Sequence, residues 1–405
     1  MVYKYIYQKQ EKELDFDVVN PMKSTAQVRG DIMSKFFLAD NLNFLMSNGC
    51  SYYAGSKAIN KENEPSTCST ILSIFKFENP VDPAVEKRVK ELAGERPEAA
   101  LDKLFELKLL FESTIPNESL AKEVVNLIET FKESFLKEFV LNIDYTKNAL
   151  HKSFLKRLLS RESKLCKANI FTLNYDMLFE MTAEKLGILV NNGFTGFHER
   201  AFYPSAYQVD YHIKNSEGAK RINKSINLYK VHGSLSWYED MNKPPYGIGE
   251  RQVIPVGGKI VYDSIKEGTI IYPIQSKKKH SLDLPYSEML RQFVEALNRH
   301  NSVLIVAGYS FLDEHVNDII ANAIANPDFN ILIFCFEDDP QNNKSNFLKQ
   351  LFIDAKNDPR ITFFYGNFFG DFANLVNFMM PFPEMNNPME DIFSVFQSLK
   401  KSMNT

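Results

Sequence analysis

Short apolar runs recur along this chain, and each ends abruptly in a small or polar residue. Asn41-Leu42-Asn43-Phe44-Leu45-Met46 runs into Ser47-Asn48-Gly49-Cys50-Ser51, and Val303-Leu304-Ile305-Val306-Ala307 into Gly308-Tyr309-Ser310. Ala168-Asn169-Ile170-Phe171 gives way to Thr172-Leu173-Asn174-Tyr175-Asp176; 58 residues further on, Ile226-Asn227-Leu228-Tyr229 gives way to Lys230-Val231-His232-Gly233-Ser234. Such runs read as buried strands. The strand candidates are 41–46, 169–173, 186–190, 226–231, 268–272, 302–307, 330–336 and 361–365. Amphipathic helical patterns at 176–186, 286–299 and 314–325 separate several of them. That alternation predicts an α/β fold, a doubly wound Rossmann-like parallel sheet. In such sheets the C-terminal strand ends meet at the ligand crevice. The polar ends therefore bring an amide, a carboxylate and an imidazole to one pocket.

Between the first two strands the pattern changes. Val85, Val89 and Leu92 repeat at helical spacing, with Gly94 as a stop. Leu101, Leu104, Phe105 and Phe111 continue it, Val124, Leu127, Ile128, Phe131, Phe135 and Phe139 mark a longer helix, and Leu155, Leu158 and Leu159 another. The expected organisation is a sheet domain of 1–60 and 161–380, an inserted helical subdomain of 61–160, and a tail of 381–405. The insert walls or lids the pocket, or contacts other subunits. In the tail, Ile392, Val395, Phe396 and Leu399 share one helical face, docked on the chain or used in assembly. Residues 193–225 and 238–267 are turn-rich and read as long excursions from the sheet.

Composition narrows the classes. With 47 Lys and Arg against 51 Asp and Glu, a net charge of −4 argues against bulk electrostatic binding to nucleic acid. Lys277-Lys278-Lys279 leaves a local contact open, against a solvated loop. The longest apolar runs fall short of the roughly 18 residues of a membrane span. Met1-Val2-Tyr3-Lys4 opens no apolar leader, so a cytoplasmic location is the expectation. Cys50, Cys68, Cys166 and Cys335 are too far apart for a zinc half-site, and no metal is expected.

Gly49 lets backbone approach a phosphate and Ser51 offers a hydroxyl, although a glycine turn after a strand is often only a turn. Asn174 offers donor and acceptor for a ribose hydroxyl or a water. Asp176 either orders that network or caps the helix after it. His232 suits acid–base work near neutral pH. Trp237, the only tryptophan, either stacks on a ring or packs in the core. Gly308 and Ser310 again suit a nucleotide, and Asp313 is an N-cap candidate.

Together these segments resemble the sirtuin-like (silent-information-regulator-like) domain over roughly residues 30–60 and 165–380. That family carries a glycine–alanine–glycine–x–serine turn, a threonine–glutamine–asparagine–x–aspartate segment, a histidine–glycine pair and a glycine–x–serine strand end. Here the matches are Gly49 and Ser51, then Thr172, Asn174 and Asp176, then His232 and Gly233, then Gly308 and Ser310. Ser47, Asn48 and Leu173 depart from the pattern. The proline–aspartate–phenylalanine–arginine segment and the four-cysteine zinc module of the deacetylating members are missing, which removes support for an acyl-lysine groove. Thr-Leu-Asn-Tyr-Asp, Lys-Val-His-Gly-Ser-Leu-Ser-Trp and Gly-Tyr-Ser-Phe-Leu-Asp-Glu-His are similar to the bacterial defence branch that degrades NAD during phage infection.

The resemblance implies an NAD+ hydrolase (NADase) with NAD+ as substrate. His232, Asn174 and Asp176 are the implied catalytic set. Gly49, Cys50, Ser51, Thr172, Gly233, Gly308 and Ser310 are the implied cofactor-binding set. It also implies a homo-oligomer that pairs with a HerA-type hexameric ATPase. The competing readings are a silent NAD or ADP-ribose sensor, a DNA-processing subunit of an ATPase complex, and residual deacylation.

Overall fold

The computed structural model describes residues 2–56, 104–265, 268–270 and 285–382, apart from positions 115, 163, 216, 217, 223, 241, 244 and 245. Nine strands make the main sheet. They are β1 (Val2–Tyr7), β2 (Gln10–Asp15), β3 (Asn41–Met46), β4 (Asn169–Thr172), β5 (Leu189–Asn191), β6 (Ser225–Lys230), β7 (Ser302–Ala307), β8 (Phe329–Cys335) and β9 (Ile361–Tyr365). Their order is β2-β1-β9-β8-β7-β3-β4-β6-β5. The run from β9 to β5 is parallel throughout, as expected. The β1–β2 hairpin joins it antiparallel, through β1 against β9. Sequence reading passed over this hairpin because Glu11, Lys12 and Glu13 charge its outer strand.

Side chains alternate between two apolar layers, the signature of a sheet covered on both faces. Phe44, Ile170, Leu228, Ile305 and Phe334 enter one layer with Phe154, Leu155, Phe179 and Ala183. These last four come from α2 (Ala149–Leu158) and α3 (Leu178–Lys185). Leu45, Phe171, Tyr229, Leu304 and Ile333 enter the other layer with Met289, Phe293, Val316, Ile320, Leu348 and Leu351. Those are supplied by α4 (Tyr286–Leu297), α5 (Glu314–Ile324) and α6 (Asn346–Asp354). Each Val, Leu, Ile, Phe or Met among them contributes about 1.5–3 kcal/mol of transfer free energy.

One polar row interrupts the second layer. Asn43, Asn169 and Asn227 stand in register on β3, β4 and β6. Asn227 Nδ2 donates to Asn169 Oδ1 at 2.9 Å, and Asn169 Nδ2 to Asn43 Oδ1 at 2.8 Å. Asn43 Nδ2 ends the row on Ser302 Oγ, 3.0 Å away. A one-residue slip of any strand breaks the row, so it fixes register at the centre of the sheet.

Several expectations are corrected. The strand expected at 186–190 begins only at Leu189, because α3 ends with Leu186 as its C-cap and Gly187 then takes a left-handed φ of 64°. The strand expected at 268–272 appears as Gly268–Ile270, outside the main sheet. It edges a five-stranded sheet followed by Gly233–Glu239, Ile248–Glu250, Arg200–Phe202 and Phe194–Thr195, paired antiparallel. His212–Asn215 and Gly218–Arg221 of the first turn-rich excursion pair separately, while other parts of the two excursions thus join in one layer. Trp237 lies in its core at 1% exposure, 5.2 Å from the Phe194 ring, so it packs rather than stacks on a ligand. Gly55, at a left-handed φ of 107°, ends the 3₁₀ turn Asn48–Ala54 as its C-cap.

Of the inserted region, α1 (Glu118–Phe135) is capped by Asn117, whose side chain accepts from the Leu120 amide. Its Val124, Leu127 and Ile128 share a third cluster with Met177, Leu178 and Leu235, beside the strand ends. The helical patterns at Val85, Val89, Leu92 and Leu101, Cys68, the Lys277-Lys278-Lys279 run and the tail of 383–405 fall outside the described residues. Among the described residues no helix is long and apolar enough to cross a membrane.

Candidate functional site

Pairing across the middle of the sheet aligns Ala307, Met46, Thr172 and Lys230 as successive neighbours on β7, β3, β4 and β6. The alignment continues one residue on: Ser47 donates its amide to Ala307, Leu173 to Met46, and Val231 to Thr172, at 3.0–3.2 Å. All four polar segments therefore leave the sheet at one level. Asn174 and His232 each stand two residues past the paired Thr172 and Lys230. Strand order reverses at β3, between β7 and β4, where α/β sheets open their ligand crevice.

Ser51, Asn174 and Asp176 form one hydrogen-bonded group. Ser51 Oγ donates to Asp176 Oδ2 at 2.8 Å and accepts from Asn174 Nδ2 at 2.9 Å. The same Nδ2 donates to the Ser47 carbonyl at 3.2 Å. With its amide nitrogen so engaged, Asn174 offers its Oδ1 as an acceptor. Thr172 Oγ1 accepts from the Asn174 amide at 3.1 Å, which orients the loop. Asp176 Oδ1 accepts from the Leu178 amide at 3.0 Å, so this carboxylate both orders the group and serves the start of α3.

Beneath the group lies a residue given no role at the sequence level. Lys230 is 1% exposed; its Nζ donates to the Asp176 carbonyl and sits 3.3 Å from Glu180 Oε1. Burial raises the Glu180 carboxyl above its ordinary range, and Lys230 opposes that rise. The signal available in sequence was a lysine as the last residue of an otherwise uncharged buried strand.

The two glycines face each other. A Cβ on Gly49 would stand 2.7 Å from Gly308 Cα, and one on Gly308 2.7 Å from the Cys50 amide nitrogen. Gly49 donates its amide to the Gly308 carbonyl at 3.1 Å, and Cys50 to Ser47 at 2.9 Å. Gly49 thus brings the turn after β3 against the end of β7. Cys50 is fully buried, and burial pushes its thiol pKa up; its Sγ lies 3.3 Å from the Ala307 carbonyl. Ser310 is exposed at the mouth. Gly233, at φ 89°, turns the chain from His232 into the smaller sheet.

His232 is buried at 9% exposure, with its ring 6.5 Å from that of Tyr175. Its Nε2 lies 3.2 Å from Asp313 Oδ2. Asp313 is the N-cap expected for α5, accepting through Oδ1 from the His315 and Val316 amides at 3.1 and 3.4 Å. Its second oxygen, turned to His232, was not foreseen, because 81 residues separate the two in the chain.

No curated protein matches the chain. Among solved structures it is similar to a Sir2 mutant with a p53 peptide and NAD, at 11% identity, 86% coverage of this chain, 96% of that chain and a TM-score of 0.38. A Sir2 mutant with a deacetylated p53 peptide and 3'-O-acetyl ADP-ribose gives 13% identity, coverages of 86% and 96%, and a TM-score of 0.36. Residues 168–356, which hold Asn174, Asp176, His232 and Gly308 but not Gly49 or Ser51, match the family model described as a SIR2-like domain.

Proposed function

We propose that this protein hydrolyses the nicotinamide–ribose bond of NAD+, giving nicotinamide and ADP-ribose. The observation that carries the reading is the convergence, at one edge of the sheet, of His232 with an Asn174 braced by Ser51 and Asp176. The match of residues 168–356 to a SIR2-like domain supports it. When the C1′–nitrogen bond breaks, its electron pair goes to the pyridinium nitrogen and nicotinamide leaves neutral. The sugar becomes oxocarbenium-like. A water oxygen bonds C1′ and gives its proton to His232. Asn174 Oδ1 accepts from a ribose hydroxyl or from that water. Asp176 and Ser51 hold this amide in place. The Gly49–Gly308 contact keeps the crevice floor low, and Thr172, Cys50 and Gly233 shape it. Ser310 at the mouth meets the pyrophosphate side.

The likeness of the three quoted phrases to the defence branch extends the reading to NAD+ depletion during phage infection. It also extends it to a homo-oligomer working with a HerA-type ATPase. The test is nicotinamide release measured by chromatography, alone and with a co-encoded ATPase. His232→Ala and Asn174→Ala should each lower turnover by about 100- to 10,000-fold. Near-normal cleavage by both variants would end the reading. NAD+ bound without release in either setting would favour a sensor instead.

A further inference from the structure

We propose that Asp313 is a positioning residue for His232: it holds the ring with the proton on Nε2, so that Nδ1 is the nitrogen that takes a proton in the reaction. The inference rests on the NAD+-cleaving reading above. The hydrogen bond made at one imidazole nitrogen decides the role of the other. Here the neighbour is an ion-pairing carboxylate: Nε2 lies 3.2 Å from Asp313 Oδ2, an oxygen that can only accept.

The rest of the loop is built to keep that oxygen where it is. Asp313 Oδ1 is engaged in capping α5. Its main-chain carbonyl accepts from the Tyr309 hydroxyl at 3.1 Å and from the Asn317 amide at 3.0 Å. Tyr309 O–H also reaches Asn317 Oδ1 at 3.0 Å. Between them Phe311 holds a left-handed φ of 57°, a strained state for a residue with a side chain. Its carbonyl is gripped by Asn317 Nδ2 at 2.8 Å and by Ser345 Oγ at 2.6 Å. With backbone and one carboxylate oxygen fixed, the second oxygen has one direction to point. In the reaction a water O–H bond breaks and its proton goes to His232 Nδ1. The oxygen bonds C1′, and the Nε2 proton stays against Asp313, stabilising the imidazolium. Base held by a third group is the arrangement of known acid–base triads.

The experiment separates capping from positioning, because Asn caps as well as Asp. Asp313→Asn should keep the wild-type Tm and KM while kcat falls about 100-fold or more. Asp313→Ala should lose as much kcat and also melt earlier. His232→Ala should sit at the same floor, with no further loss in the double variant. Wild-type kcat in Asp313→Asn, beside a dead His232→Ala, would overturn the inference and leave NAD+ cleavage standing. Normal turnover in His232→Ala would also overturn the inference, by taking the base role from His232; no nicotinamide release by the wild-type chain, alone or with a co-encoded ATPase, would remove the cleavage reading itself. On the unaltered chain, nitrogen-15 spectra of labelled histidine should show the Nε2–H tautomer for His232; an Nδ1–H tautomer would also overturn the inference.

Discussion

His151 shows what burial, more than its charged neighbours Asp176 and Lys230, does to a titrating side chain. It is 0% exposed, with Nδ1 2.7 Å from the Tyr53 hydroxyl and its ring 4.5 Å from that of Phe179. Burial pushes its pKa down to about 4 from the ordinary 6.5. Between those values the unfolded chain binds a proton that the folded chain refuses. Stability is therefore whole above pH 6.5 and drains as pH falls toward 4, by roughly 3 kcal/mol. Glu180, with its pKa raised, works in the opposite sense, losing its contribution as pH rises through its folded value. Denaturant titrations at pH 7 and 4.5 should show the loss in the wild type and a much smaller loss in His151→Gln. An equal loss in both would assign the slope to other groups. The residue just before each does not separate this histidine from His232, since Leu150 and Val231 are both aliphatic. Only the strand end ahead of His232 distinguished it. The second role of Asp313 was hidden for a related reason: a good N-cap already explained that aspartate.

At the scale of elements, most of the parallel strands were legible because each is a short, mostly apolar run with turn residues after it. The smaller sheet was not. Its strands are two to seven residues long and interrupted by glycine and charge, so a period of two survives only over Ser234-Leu235-Ser236-Trp237, too short a stretch to mark a sheet. The asparagine row was visible as residues yet not as a structure, because register is needed to align it. It now makes a prediction. Asn169→Leu strands Asn43 Oδ1 and Asn227 Nδ2 without their partner in a dry layer, and should cost about 2–4 kcal/mol. A midpoint unchanged in urea would mean that packing, not the row, sets the register.

Across the whole molecule, two sheets and the helices of the insert share the crevice neighbourhood, and Leu235 links the smaller sheet to α1 in one cluster. Ligand at the crevice should therefore steady more than the main sheet. NAD+ held at 100 times its Kd should stabilise the fold by about 2.7 kcal/mol, read as a rise in Tm. His232→Ala should keep that rise while losing turnover. Absence of any rise in the wild type would mean that the folded chain does not hold NAD+ at all. The doubly wound plan and its site edge were readable from sequence. The partner of His232 was not, since it lies on α5, beyond β7 on the far side of β3.

The β1–β9 pairing sets a timetable. Lys4 lies opposite Tyr365, so the hairpin that leaves the ribosome early has no seat until the last strand follows it. At 5–20 residues per second, the 350 residues between Asp15 and Tyr365 take roughly 18–70 s to make. For that interval an unpaired strand edge waits among other nascent chains, a standing invitation to pair wrongly. Glu11, Lys12 and Glu13 repel such company along the outer strand, so the charges that hid β2 guard that edge both before and after Ile361–Tyr365 closes the β1 side.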